Sequence, residues 1–387
     1  MRIFLVSASY PDEEFPSKSI FVYEQAKELA NRGNEIVVLH VKKIATKRFL
    51  KLYDNRVKVF NDGFALRFMV CRKTVMESRL KTLNRFLFLQ SVNKLYKRAE
   101  KKVGKPDVIY AHFSCWAGLS AARISKKYGI PLVTLEHYGG LLGNISRTQK
   151  EGIEETIDQS KVFMCVSEGL KQSLLQKVSC SKDIKVVPNM IDRNFHFVPQ
   201  KKNEKFIISS IGNLYKDKGF DLLINAFCKA FKNSDPVELR IGGGGPEKQK
   251  LQKLIEDNGR EHQIFLLGTL TREQTCLEYI NCSCFALASY HETYGMVYRE
   301  ALITGRPIIT TDHGGFSGSD WLDDYGYKIP TGNEQALAKA LSLIRSNIAI
   351  FDCERISSTC LQSCSADKVG NVVEHYLNVA VQENELY

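Results

Sequence analysis

The chain has 387 residues, 44% of them hydrophobic and 25% charged, with a formal net charge of +11. That length exceeds what one hydrophobic core usually serves, so two domains are expected, in a chain of ordinary globular composition. A membrane span needs about 18 apolar residues in a row and none occurs; the opening MRIFLVSASYP is too short for an export signal; and eleven cysteines without one read as reduced thiols.

In chain order, RIFLVSA predicts a first strand, SIFVYEQAKELANRG a helix and EIVVLHV a second strand. PDVIYAH, the helix GLSAARISKKYG, IPLVTLEH, KVFMCVS and IKVVPNM continue the alternation. Strands recurring between helices of this length argue for a parallel, doubly wound sheet. The polar stretch DRNFHFVPQKKNEK (192–205) interrupts the rhythm, which restarts at FIISSIG and runs through VELRIGG, IFLLG, CFALAS, YGMVYREALITG and PIITTD. The expected fold is therefore α/β, with two Rossmann-like parallel-sheet domains facing an interdomain cleft. The first covers 1–192 and the second 205–360, while the helical stretch in 361–387 finds no sheet position left and is expected to pack back on the first.

Charge divides unevenly between these halves. Residues 42–105 hold 19 basic and 4 acidic side chains. Within them, residues 79–105 mix Leu and Phe with Lys and Arg at roughly helical spacing. A basic amphipathic helix of that kind suits an anionic membrane surface. The bland reading is a solvated helix with its apolar side on the core. Nucleic acid is the weaker third option, since no recognised binding motif accompanies the charge, and no nucleic-acid partner is expected.

Three motifs carry chemistry. IGGGGPEKQ (241–249) fails the G-x-G-x-x-G pattern in either register, and no P-loop pattern occurs, so this glycine run is a tight turn or a close approach of backbone to a ligand. In SSIGNLYKDKGFDLLINAF (209–227) a strand ends at Gly212 and a helix starts near Gly219. Lys218 close to that helix start is unfavourable unless it shares an anion with the backbone N–H groups, although a solvated lysine is the commoner reading of the string alone. In HETYGMVYREALITGRP (291–307), the amides of Gly295, Met296 and Val297 open a helix and can hold a diphosphate. Two carboxylates beside a diphosphate would repel it, so Glu292 and Glu300 should bind hydroxyls: Glu292 one of a sugar, Glu300 a vicinal diol such as ribose.

In order and spacing, these segments with PSKSIFVYEQAKELANRGNEIVVL, CVSEGLKQSL and IKVVPNMID make the chain resemble the retaining nucleotide-sugar glycosyltransferases of GT-B fold, family 4, across nearly its whole length. The resemblance implies that Lys218 holds the donor diphosphate, Glu300 the ribose, and Glu292 the transferred sugar. It also implies that His137, ending LVTLEH, faces the donor sugar, and that Gly212 and Asn213 line the donor loop. Leu270, in the turn GTL, would lie beside the base. The departures are Asn213 where the family usually has arginine, Ser19 in PSKSIF where glycine is common, and FSGSD after Gly315 where a glutamate is frequent.

The implied reaction is transfer of a sugar from a UDP- or GDP-linked donor to a hydroxyl of a glycan or lipid-linked acceptor in surface polysaccharide synthesis. His137, Lys218 and Glu292 would be the catalytic residues. No cofactor and no metal are expected, because lysine and amides neutralise the diphosphate. The expected location is cytoplasmic, peripheral on the inner face of the cell membrane. The alternatives are a GT-B nucleotide-sugar epimerase and a carbohydrate-binding relative without turnover.

Overall fold

The apolar run after Met1 forms strand β1 (Arg2–Ser7), in which Ile3, Phe4 and Leu5 are wholly buried. A strand buried on both faces belongs in the middle of a parallel sheet. In the computed structural model, which describes residues 1–12, 18–45, 58–61, 68–77, 81–200, 204–316 and 321–385, β1 holds that place between β2 (Glu35–Ala45) and β5 (Val108–His112). The other strands of this sheet are β3 (Lys58–Asn61), β4 (Phe68–Glu77), β6 (Leu132–Glu136), β7 (Val162–Cys165) and β8 (Ile184–Val186), in the order β3-β4-β2-β1-β5-β6-β7-β8. Its neighbouring pairs are parallel except β3 with β4, an antiparallel edge that the sequence reading had not separated from the surrounding basic residues.

The second sheet is β9 (Phe206–Ile211), β10 (Val237–Gly242), β11 (Ile264–Gly268), β12 (Cys284–Ala286), β13 (Ile308–Thr311) and β14 (Gly326–Ile329), in the order β11-β10-β9-β12-β13-β14 and parallel throughout. Both orders are doubly wound. The winding reverses between β1 and β5 in one sheet and between β9 and β12 in the other. Ligands of such sheets bind beyond the carboxyl ends of the strands at that reversal.

The chain divides into two compact units, Met1–Met190 with Ala366–Tyr387, and Ile191–Ser365. The final helix, Ala366–Glu385, belongs to the first of them, in which it buries Val369, Val373, Leu377 and Ala380. Arg32, closing the helix Ile20–Asn31, fastens it by donating to Asn371 Oδ1 at 2.5 Å and Asp367 O at 2.8 Å, and by pairing with Glu374 at 3.4 Å.

The basic helix runs Lys81–Val103, so Arg79 and Leu80 lie outside the described residues. Phe88, Val92, Leu95, Tyr96 and Ala99 join Phe4, Val37 and Ile109 in the core of the first unit. Each large apolar side chain so buried contributes about 1.5–3 kcal/mol. Lys94, Lys97, Arg98, Lys101 and Lys102 remain exposed, as do Leu83 and Phe86 in the first turns.

Candidate active site

In the second unit the site is assembled by two loops that leave β9 and β12. After β9, residues Lys216–Lys218 make a 3-10 turn closed by Gly219, which has φ 65° and starts the helix Phe220–Ala230. A β-carbon on Gly219 would lie 2.2 Å from Ala288 O, so only glycine lets this turn reach the exit of β12. Tyr290 N donates to Asp217 O at 2.8 Å and fastens the two loops together. The result is a close pair: Lys218 Nζ lies 2.7 Å from Glu292 Oε1, which also accepts from Ser289 Oγ at 2.9 Å. Both partners keep part of their surface open, at 20% and 14% of side-chain area.

Gly295 then turns left-handed and caps the helix Met296–Ile303, which begins four residues beyond Glu292. Its first amides, at Met296 and Val297, have no helical acceptor of their own. Glu300 sits one turn into this helix and is only 3% exposed. Its carboxylate turns to the helix Arg272–Asn281, taking Arg272 Nη1 at 2.6 Å on Oε1 and Tyr279 OH at 3.3 Å on Oε2. Burial and the nearby Glu300 carboxylate raise the Tyr279 phenol well above its ordinary range, so it donates. Arg272 lies over the Phe195 ring at 4.5 Å. Neither Arg272 nor Tyr279 was singled out in the sequence, where nothing in TREQTCLEYIN marks them as partners of a glutamate 21 to 28 residues on.

Gly212 and the exposed Asn213 follow β9 directly. The glycine run after β10 packs on them: Gly212 N donates to Gly242 O and Leu214 N to Gly244 O, both at 3.0 Å. A β-carbon on Gly243 would stand 1.9 Å from Gly212 O. The run thus serves backbone-to-backbone packing. Leu270 lies against Gly242, whose added β-carbon would be 2.5 Å from Leu270 Cδ1. The loop after β13 is held by Arg299, which donates to Tyr294 O and Gly315 O and lies 4.2 Å from the Phe316 ring centroid. His313 accepts from Gly315 N at 3.0 Å, and burial pushes its imidazole down to about 4. Residues 317–320 of FSGSD lie outside the described residues.

In the first unit, Ser19 and His137 come together through Phe21. Ser19 has φ 50° and ψ 42° and donates from Oγ to Ser9 Oγ at 2.8 Å, just past the end of β1. Of PSKSIF, Pro16 and Ser17 lie outside the described residues. Phe21, two residues beyond Ser19, stacks on the His137 ring at 4.7 Å. His137 directly follows β6, and its backbone is clamped by the buried Glu136 carboxylate, which accepts from His137 N at 2.7 Å, Tyr138 N at 2.6 Å and Ser114 N at 2.9 Å. Burial raises the Glu136 carboxyl above its ordinary range, and those hydrogen bonds pull it back. Burial also drops His137 well below the usual imidazole value, as does the adjacent His112, against the opposite pull of Asn189. His112 Nδ1 lies 2.9 Å from His137 Nε2, a contact the sequence reading did not foresee.

Comparison with known proteins agrees with this architecture. Residues 192–349 match the family Glycosyl transferases group 1, and residues 19–195 match Glycosyltransferase Family 4. The chain belongs to the family 4 glycosyltransferases of GT-B fold. It is 27% identical over 58% of its length to the poly(ribitol-phosphate) alpha-N-acetylglucosaminyltransferase of Staphylococcus aureus, of which the match covers 45%. The chain thus spans less than half the length of the first curated relatives it matches. Among solved structures, the sucrose-phosphate synthase of Thermosynechococcus elongatus superposes with a TM-score of 0.78 at 16% identity, over 97% of this chain and 98% of that one. HepE of Anabaena, solved in complex with UDP, superposes with a TM-score of 0.72 at 16% identity, over 98% and 100%. At such identities the likeness is one of fold.

Proposed function

We propose that this protein transfers a sugar, with retention at the anomeric carbon, from a UDP- or GDP-linked diphosphate donor to a hydroxyl of a glycan or lipid-linked acceptor destined for a surface polysaccharide. The observation that carries this reading is the Lys218–Glu292 pair at the winding reversal of the second sheet, immediately before the amides of Met296 and Val297. A cation and a helix N-terminus beside one another suit a diphosphate. As they stand, Lys218 and Glu292 satisfy each other. A donor diphosphate takes over Lys218 and frees Glu292, still held by Ser289, for a hydroxyl of the sugar. Glu300, oriented by Arg272 and Tyr279, has lone pairs left for a ribose diol.

In the reaction the bond from the anomeric carbon to the diphosphate oxygen breaks with its electron pair leaving on the phosphate. The acceptor oxygen bonds to the same face, and its proton passes to the departing phosphate oxygen. Charge grows on the leaving group, so Lys218 and the amides should supply most of the rate enhancement, without a metal. His137 is included in this proposal as the residue that faces the donor sugar. The polymeric acceptor is supported by the Staphylococcus aureus relative, named as an alpha-N-acetylglucosaminyltransferase of poly(ribitol-phosphate). Among the described residues no helix is long and apolar enough to cross a membrane; the reading is a cytoplasmic protein resting on the inner membrane face.

The test is turnover with UDP-glucose, UDP-N-acetylglucosamine and GDP-mannose, with and without a lipid-linked acceptor. One donor should raise the unfolding temperature, EDTA should leave the rate unchanged, and proton NMR should show a product of retained configuration. Lys218→Ala should lower kcat by about 10²–10³-fold. Unchanged donor binding and turnover in both Lys218→Ala and Glu300→Ala would remove this site from consideration, and product from donor alone would mark an epimerase.

A further inference from the structure

His112 has no part in the reading above. It ends β5, at the winding reversal of the first sheet, and the β5–β6 register sets it opposite Leu135. Side chains alternate along a strand, so His137, two residues past Leu135, falls on the same side as His112. The two buried rings lie 5.1 Å apart with 18° between their planes, joined by the 2.9 Å contact of His112 Nδ1 with His137 Nε2. Tyr110 packs on the far ring at 4.5 Å and is anchored by its own hydroxyl on Gln25 Oε1 at 2.7 Å. The remaining nitrogens, His112 Nε2 and His137 Nδ1, are buried without a hydrogen-bond partner among the described residues, as is Asn189 Oδ1. Buried polar atoms are rarely left so; the Asn189 side chain already bears on His137, and a ligand hydroxyl that displaces it would satisfy Nδ1.

Both rings are neutral near pH 7, and a neutral imidazole carries one N–H and one lone pair. The pair therefore shares two hydrogens among four nitrogens, one of them always between the rings. A hydroxyl that donates to His137 Nδ1 puts the hydrogen of His137 on Nε2, from which it donates to His112 Nδ1, and His112 then carries its own on Nε2. A group that accepts from His137 Nδ1–H reverses all three. We propose that His112 is a positioning residue for the transfer reaction: it fixes the plane of His137, ties the tautomer of that ring to its own, and leaves Nδ1 as the only nitrogen His137 can turn on a hydroxyl of the donor sugar. This rests on the reading of His137 as the residue that meets that sugar.

The test uses the full-length protein with ring-15N histidine, whose shifts report each tautomer independently of activity. In the wild type His112 and His137 should show the same tautomer, both Nε2–H or both Nδ1–H. His112→Phe keeps a planar ring without nitrogens; it should shift the tautomer populations of His137 and lower kcat by about 100-fold, with KM changed much less. His112→Asn places an amide at the position of Nδ1 and should return the His137 shifts towards those of the wild type and bring kcat to within about tenfold of it. Near-UV circular dichroism establishes that each variant is folded. Unchanged His137 shifts in His112→Phe overturn the proposal, and so does a folded His112→Asn that behaves like the phenylalanine variant. If the wild type turns over neither UDP-glucose, UDP-N-acetylglucosamine nor GDP-mannose, the donor reading fails on its own, and the shifts alone decide: matching tautomers on the two rings support the pairing and unmatched ones overturn it.

Discussion

Ser19 stands at φ 50°, in the left-handed region where a β-carbon costs about 1–2 kcal/mol. The family resemblance had placed glycine as the common residue there, and the dihedral supplies the reason. What offsets the strain is the Oγ bond to Ser9, worth about 1 kcal/mol. Ser19→Ala, which keeps the strain and loses the bond, should cost about 1 kcal/mol in urea unfolding, whereas Ser19→Gly loses both and should stay within about 1 kcal/mol of the wild type. Single residues were legible in the sequence where a motif surrounds them, as for Lys218 and Glu292. Their pairing across 74 positions was not, because it depends on β9 and β12 being neighbours in the sheet. His112 and Arg272 were missed for the same reason. Each has its role through a partner on another element, and a string shows no partner.

Elements were most legible where periodicity was undisturbed by charge. The helix from Met296 and five strands of the second sheet follow the reading closely, while β14 was not read as a strand and β3 and β4 went unread because KVFN and FMVCRKTVME interleave apolar with basic residues inside a charge-rich stretch. The helix Lys81–Val103 shows the competition most directly. Its central apolar stripe is spent on the core, so an insertion deep into lipid has only Leu83 and Phe86 to offer, at 40% and 56% exposure. Basic side chains near an anionic surface contribute roughly 1 kcal/mol each. Vesicle flotation should therefore show binding to phosphatidylglycerol-rich but not phosphatidylcholine vesicles, reversed by high salt. Leu83→Ser with Phe86→Ser should weaken it about tenfold. Equal recovery on both lipids would end the membrane proposal.

For the whole molecule, buried imidazoles set the acid limit. Burial holds His112 down to about 3 and His313 to about 4, with His137 also well below the ordinary 6.5. A base whose folded value is depressed is protonated more readily when unfolded, so the unfolded state gains protons first as pH falls. The stability these rings confer is complete above pH 6.5 and drains away towards pH 4, at on the order of 2 kcal/mol per ring for two pH units. Glu136, raised by burial, acts in the opposite sense just above its unfolded value. Melting temperatures should be level above pH 7 and fall steadily between pH 6.5 and 4.5. A level profile through that window would mean that these imidazoles are not held neutral by the fold. The first unit also takes its last helix from residues made after the entire second unit, so the chain leaves it at Met190 and returns at Ala366. During synthesis the second unit can close as soon as it has emerged, whereas the first must wait, with the groove for Val369, Val373 and Leu377 open to water, until the ribosome has passed both. Folding order is thereby the reverse of translation order, and the waiting half is the one a chaperone would meet.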